Sequence, residues 1–312
     1  MRISFNVQSR LGLALAVGGI WLTPANAWAG RKATPFGEID ESCITHVPKG
    51  GRIDVERGSV EINGSKTASA ASCAEPIPGC STNGGWYENS WANAKTISGM
   101  SQYDHIAADW TVPTNPSPPA GDSPLEYFFP SLSAMSGSRS VAIIQPVMSW
   151  GYDAQEWEVS SWGLFNCNVS CSCQVFVEGP YSGVYAGDSV GGVVSQYQGS
   201  PDAWQVFISD SSSGANANLD VYNIPNSWPK FTTAQSAVNE NYGLNSCADL
   251  SPQNYLWFTS VVLEQAGPSW NSFNNVTSST SWTIQNNTSG LSPSCSWSAG
   301  ASGSVGLLTW AE

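Results

Sequence analysis

The chain has almost no histidine and little positive charge. Two histidines, His46 and His105, stand among 312 residues. After Lys66 only Lys95, Arg139 and Lys230 are basic, against eighteen acidic residues. Binding a nucleic acid or an anionic membrane needs clustered Lys and Arg, so neither partner is expected. The sequence has no G-x-S-x-G, no H-E-x-x-H and no His/Asp set suited to a metal. A Ser-His-Asp triad would have to be built on His105. Acid–base chemistry therefore falls to carboxylates and amides, and no metal or cofactor is implied. Long apolar runs are missing beyond the first residues, which argues against a helical membrane span. Charge is sparse overall, at 11% of residues. A surface carried by Ser, Asn, Gly and Thr loses few ion pairs when carboxylates are protonated, so tolerance of acid is expected. Ordinary solubility through a net charge of −13 is the plainer consequence.

Residues 1–29 read as a signal peptide. Arg2 and Arg10 flank the start of the apolar core Leu11–Leu22, and Ala25-Asn26-Ala27 or Ala27-Trp28-Ala29 offers a small-residue cleavage site. The mature chain is expected outside the cell, or in a periplasm, as a monomer. Eight cysteines in an exported protein read as disulfides. The Cys167, Cys171, Cys173 spacing is not that of a zinc knuckle.

Residues 30–85 differ in texture from the rest. Arg31, Lys32, Lys49, Arg52, Arg57 and Lys66 lie here, and there is no long apolar run. This segment reads as a pro-segment or N-terminal arm, held over the acidic body by charge. A plain disulfide-tethered extension is the alternative. Asp54–Ile62 reads as a short hairpin around Arg57-Gly58.

Residues 86–312 read as one domain. Runs rich in Val, Ile, Trp, Tyr, Phe and Thr alternate with Gly, Pro, Asn and Ser clusters. That texture predicts an all-β, two-sheet antiparallel β-sandwich of concanavalin-like or jelly-roll type. Expected strands include 106–112, 140–150, 156–162, 174–177, 189–198, 203–209, 219–222, 256–265, 281–285 and 306–310. Ala234–Asn239 is a modest helix candidate. Most of the 15 Trp residues are expected in the core.

Two strands stand out for chemistry. Period two places Val141, Ile143, Gln145 and Val147 on one face, an uncharged amide among aliphatics. Such an amide must find hydrogen-bond partners. In the second run Phe258, Ser260, Val262 and Glu264 are expected to share a face. A satisfied core amide and a solvated strand end are the plain readings of Gln145 and Glu264.

Several segments, in the same order, resemble the glutamic peptidases, or eqolisins. Asn89–Ala94 resembles the family's SNWAGA, and Asp109–Thr114 its EFTVPT. Ile143-Ile144-Gln145 resembles its ILQ, and Glu156-Trp157-Glu158 with Trp162 its WYEW. Gly187–Val190 resembles its GD-x-I, and Val261–Glu264 its WIVE. The resemblance spans about Trp86 to Trp270. It implies a secreted β-sandwich endopeptidase, active in acid, with polypeptide as substrate. It further implies Glu264 as general base on a water and Gln145 as donor to the oxyanion. Trp91, Trp157, Glu158 and Trp162 become candidate substrate contacts. The family's WVGIDG is replaced by Tyr127–Leu132 without an acid, and Pro146 implies a bulge or edge beside Gln145. A non-catalytic, lectin-like glycan-binding sandwich is the alternative, ahead of a polysaccharide-cleaving enzyme.

Overall fold

The computed structural model describes residues 31–34, 37–70, 88–95, 102–137, 139–167, 173–266, 273–286, 293 and 295–310. The proposed signal peptide lies outside them. The N-terminal strands are β1 (Arg31–Thr34), β2 (Gly37–Asp40), β3 (Ile44–Val47), β4 (Arg52–Asp54), β5 (Ser59–Ile62) and β6 (Ser65–Ser69). Then come β7 (Glu88–Lys95), β8 (Tyr103–Thr111), β9 (Leu125–Ser136), β10 (Arg139–Trp150), β11 (Trp157–Phe165), β12 (Gln174–Val184) and β13 (Ser189–Gln196). The last are β14 (Trp204–Asp210), β15 (Asn216–Tyr222), β16 (Phe231–Tyr242), β17 (Tyr255–Ala266), β18 (Phe273–Asn275), β19 (Thr283–Asn286), β20 (Ser298–Ser302) and β21 (Val305–Thr309).

Two large sheets pack as a sandwich. The eight-stranded sheet runs β19-β7-β16-β9-β10-β11-β12-β3. The eleven-stranded sheet runs β20-β21-β17-β8-β13-β14-β15-β4-β5-β6, with β18 beside β17. Pairing is antiparallel except at β12/β3 and β15/β4. Alternation along each strand fills the space between the sheets. Leu132, Ala142 and Ile144 of the first sheet meet Ile106, Val194 and Val206 of the second. Phe128, Met148 and Trp157 meet Trp110, Ile208 and Phe258. Each of the larger aliphatic, Met and Phe side chains contributes about 1.5–3 kcal/mol when fully buried. The Trp110 indole N–H donates to Met148 Sδ at 3.2 Å across this layer.

The expected strands all fall on observed ones, but Ala234–Asn239 is not helical. It forms the middle of β16, between β7 and β9. Its Ala and Gln favour helix weakly, and the two flanking ladders outweigh that preference. The Asp54–Ile62 hairpin is present as β4/β5. Cys167 is bonded to Cys173 and Cys247 to Cys295.

Pro146 is neither at an edge nor in a bulge. It lies in central strand β10 opposite Pro130 of β9, within a lapse in the β9/β10 ladder. The register is the same on both sides of the lapse, at Ile144/Leu132 and Met148/Phe128. Two facing prolines have no N–H to give, so the ladder opens without slipping.

The N-terminal segment is built into the sandwich rather than laid over it by charge alone. β3 extends the eight-stranded sheet, while β4 to β6 extend the other. Val47, Ile53, Val55 and Val60 are buried in the inter-sheet core. Ile39, Cys43 and Ile44 instead join a third apolar cluster on the outer face of the eight-stranded sheet.

Candidate active site

That covered outer face carries Gln145. Ala142, Ile144 and Met148 point toward the other sheet, so Ile143, Gln145, Val147 and Ser149 point away from it. Gln145 is 2% exposed and its Oε1 has no hydrogen-bond partner. Trp162 of β11 lies across from it on one side. On the other, the in-phase register places Ser131 of β9, and then Gln235 of β16. The Ser131 hydroxyl donates to Gln235 Oε1. This rung, Gln235–Ser131–Gln145–Trp162, holds no carboxylate.

The acids stand four residues further along the strands, roughly 13 Å away. Here Glu240 of β16, Tyr127 of β9, Ser149 of β10 and Glu158 of β11 form a second rung. All four are buried. Burial pushes the Glu240 carboxyl up to about 8. Burial also raises Glu158 to about 7, opposed by the Asp153 backbone N–H that donates to its Oε2 at 3.1 Å. Tyr127 is held well above the ordinary phenol range by burial, then by Tyr152, Glu240, Glu41 and Glu158. Its ring lies 5.8 Å from Trp162, 6.4 Å from Tyr152 and 6.0 Å from Tyr242. Ser149 Oγ, Tyr152 Oη and Glu240 Oε1 are buried without partners. Polar atoms buried without partners are costly to keep, here as elsewhere in the two sheets.

A polypeptide already lies across this rung, and it is the chain's own N-terminal segment. The Tyr242 hydroxyl is 2.9 Å from the Thr34 carbonyl oxygen and 3.2 Å from Glu240 Oε2. Both contacts are satisfied at once when Glu240 carries its proton and donates it to the Tyr242 oxygen, leaving the tyrosine O–H for the carbonyl. Lys32 Nζ donates to the Tyr152 carbonyl at 2.7 Å and to Asp153 Oδ1 at 2.9 Å, and sits 4.0 Å above the Tyr152 ring centre. His46 pairs with Glu41 at 2.8 Å, and that hydrogen bond raises the imidazole above its ordinary value.

The residues picked out from sequence separate into groups. Gln145, Glu158 and Trp162 share the covered face. Trp157 points the other way, into the inter-sheet core against Trp150 and Phe128, so it is not a substrate contact. Trp91 pairs in register with Val238 of β16 and Gln285 of β19; its side chain lies outside what the structure describes.

Glu264 is not on a strand neighbouring Gln145. It lies in the eleven-stranded sheet, opposite His105 of β8. A register shift between Thr259 and Val262, with Ser260 at φ 51°, reverses the alternation within β17. Phe258 therefore points inward together with Val261 and Leu263, whereas Glu264 and Val262 point outward. Gln145 and Glu264 thus face away from each other on opposite sides of the sandwich. Beside Glu264, burial and then the Glu264 charge raise Asp104 to about 7.

Sequence reasoning missed Glu240, Tyr242, Tyr127 and Tyr152. The alternation Val238, Glu240, Tyr242 within one strand was the available signal. Among the described residues no group of His, Cys, Asp and Glu is placed to hold a metal ion. No described helix is long and apolar enough to cross a membrane.

No protein-family model matches the chain, and no curated protein matches it. Among solved structures it is similar to scytalido-glutamic peptidase with a peptide-based transition state analog, at 15% identity and a TM-score of 0.48. That alignment covers 72% of this chain and 98% of the other. SCP-B, a member of the eqolisin family of peptidases in complex with the tripeptide Ala-Ile-His, aligns at 15% identity and a TM-score of 0.46, with the same coverage. A bacteriophage CBA120 tailspike domain aligns at 12% identity and a TM-score of 0.33, covering 58% of this chain and 24% of that one.

Proposed function

We propose that the chain is an exported, acid-acting endopeptidase whose cleft is the outer face of the eight-stranded sheet. The observation that carries this reading is the Glu240–Tyr242 pair, already hydrogen-bonded to a main-chain carbonyl of an extended polypeptide, that of Thr34. The ordered resemblance of short motifs to the glutamic peptidases supports it. Glu240 takes the carboxyl role first given to Glu264. Gln145, further along the same face, holds the substrate main chain through its uncharged amide.

In this reading Cys43, which is disulfide-bonded, and β3 stay with the body, and residues 31–41 act as the part of the pro-segment that keeps the cleft shut. They exclude water from Glu240 and so keep it protonated. Once they leave, hydration lowers the carboxyl toward its ordinary range, and it ionises in mild acid. Glu240 then takes a proton from water as the water oxygen bonds to the scissile carbon. The Tyr242 O–H donates to the oxyanion. Glu240 returns the proton to the amide nitrogen as the C–N bond breaks, leaving an acid and an amine. Activity through this group falls as pH drops below the range in which the uncovered Glu240 ionises, because the base must be ionised at the start of each turnover.

Cleavage of a denatured protein after acid treatment, in wild type, Glu240→Gln, Gln145→Ala and Glu264→Ala, tests the assignment. Loss in the first two variants and retention in the third is expected. Loss only in Glu264→Ala would return the chemistry to the opposite face.

A second reading, glycan binding, is favoured by one observation. Tyr255 and Trp257 are 46% and 47% exposed, two residues apart on the outer face of the eleven-stranded sheet. A soluble β-glucan binding assay with Trp257→Ala tests it; binding that the variant abolishes would support this reading.

A further inference from the structure

The N-terminal segment shows what the cleft holds as well as that it holds something. Lys32 is only 19% exposed in its side chain, and its ammonium is fully engaged. The Tyr152 carbonyl and Asp153 carboxylate accept from it, and the Tyr152 ring lies beneath it. The Glu158 carboxyl, fixed by the Asp153 backbone N–H, is close enough for the lysine charge to act on it. Glu41 of the segment itself stands at 3.8 Å. Of these groups, all but Glu41 belong to the body: the β10–β11 turn supplies Tyr152 and Asp153, and β11 supplies Glu158. With the segment gone, a carbonyl, an aromatic face and the Asp153 carboxylate remain around the place where an ammonium sat, with Glu158 holding the Asp153 backbone N–H behind them. Body residues carry few other cations to fill it, since only Lys95, Arg139 and Lys230 follow Lys66.

We infer that Tyr152 and Asp153, positioned by Glu158, form a subsite that selects a lysine or arginine side chain of the bound polypeptide. The chemistry is that of a mostly buried cation held by a backbone carbonyl, a carboxylate that is 56% exposed and an aromatic ring, and a neutral side chain of equal length gains none of these. This rests on the peptidase reading for its consequence, cleavage at a fixed distance from basic residues. Its binding part is independent of catalysis.

The test is chemical rescue in the full chain. Lys32→Ala empties the subsite, and n-butylammonium is the probe, with n-butanol as the uncharged control. The variant should melt a few degrees below wild type. n-Butylammonium should restore part of that loss and n-butanol should not, and Lys32→Ala/Asp153→Asn should show no rescue. Absence of rescue in Lys32→Ala overturns the subsite. Should Lys32→Ala fail to fold, Lys32→Met and Lys32→Arg replace it. Arginine retaining the wild-type melting temperature while methionine lowers it supports the subsite, and equal values overturn it. Mapping cuts in a denatured protein by mass spectrometry separates the two claims. Cleavage without enrichment of basic residues overturns the subsite and leaves the peptidase. Rescue without any cleavage removes the peptidase reading and leaves a cation-selective polypeptide cleft.

Discussion

Glu126 should make this protein less stable at neutral pH than in acid. It lies in β9 with no exposure, and neither carboxyl oxygen has a hydrogen-bond partner. Burial raises it from an ordinary 4.5 to about 8, and the nearby Ser251 backbone opposes only part of this. The folded state therefore binds the proton more tightly than the unfolded chain does. Stability from this group is complete below the unfolded value and is lost as pH rises toward about 8. At about 1.4 kcal/mol per pH unit, the loss by pH 7 is roughly 3 kcal/mol. That is a large part of the 5–15 kcal/mol typical of a folded domain. Urea unfolding at several pH values between 4 and 8 measures it. Wild type should weaken steadily across that range, and Glu126→Gln should flatten the slope by about 3 kcal/mol. A uniform loss from burying the unpaired amide leaves this difference in slope unchanged. Equal slopes in the two proteins would refute the argument.

Other outcomes follow from packing and cross-links. Replacing Cys247 and Cys295 by Ala releases a 48-residue span and should cost roughly 4 kcal/mol, measured by urea unfolding under non-reducing conditions. Gly192→Ala should cost about 1–3 kcal/mol, because a Cβ there would lie 2.9 Å from Pro146 Cγ and from Trp110 Cη2 where the sheets meet. Trp162→Ala should cost about 3–5 kcal/mol, since its indole packs on Tyr127 and Tyr152 and donates to Ser160 Oγ at 2.7 Å; thermal unfolding checks both.

The fold was largely legible because β-branched and aromatic runs between Gly, Pro and Asn turns need no long-range information. The face of Gln145 was legible for the same reason, since β10 keeps strict alternation from Ala142 to Ser149. Glu264 was misplaced because β17 belongs to the other sheet, which local pattern does not record, and because one left-handed residue, Ser260, reverses the faces of β17, which period-two counting cannot see. Glu240 was overlooked because Ala234–Asn239 has helical leanings that neighbouring strands override. The partners of Gln145 depend on which strands sit side by side. The order β16-β9-β10 joins segments about a hundred residues apart, and local pattern carries no record of it. The N-terminal segment was recognised by composition. Its apolar anchors, Ile53, Val55 and Val60, are too few to announce themselves as core.

The most direct measurement is acid cleavage of a denatured protein by wild type, Glu240→Gln and Glu264→Ala, with folding matched by circular dichroism. The account predicts cleavage by wild type and Glu264→Ala, and none by Glu240→Gln. Cleavage that survives Glu240→Gln and disappears in Glu264→Ala would contradict it.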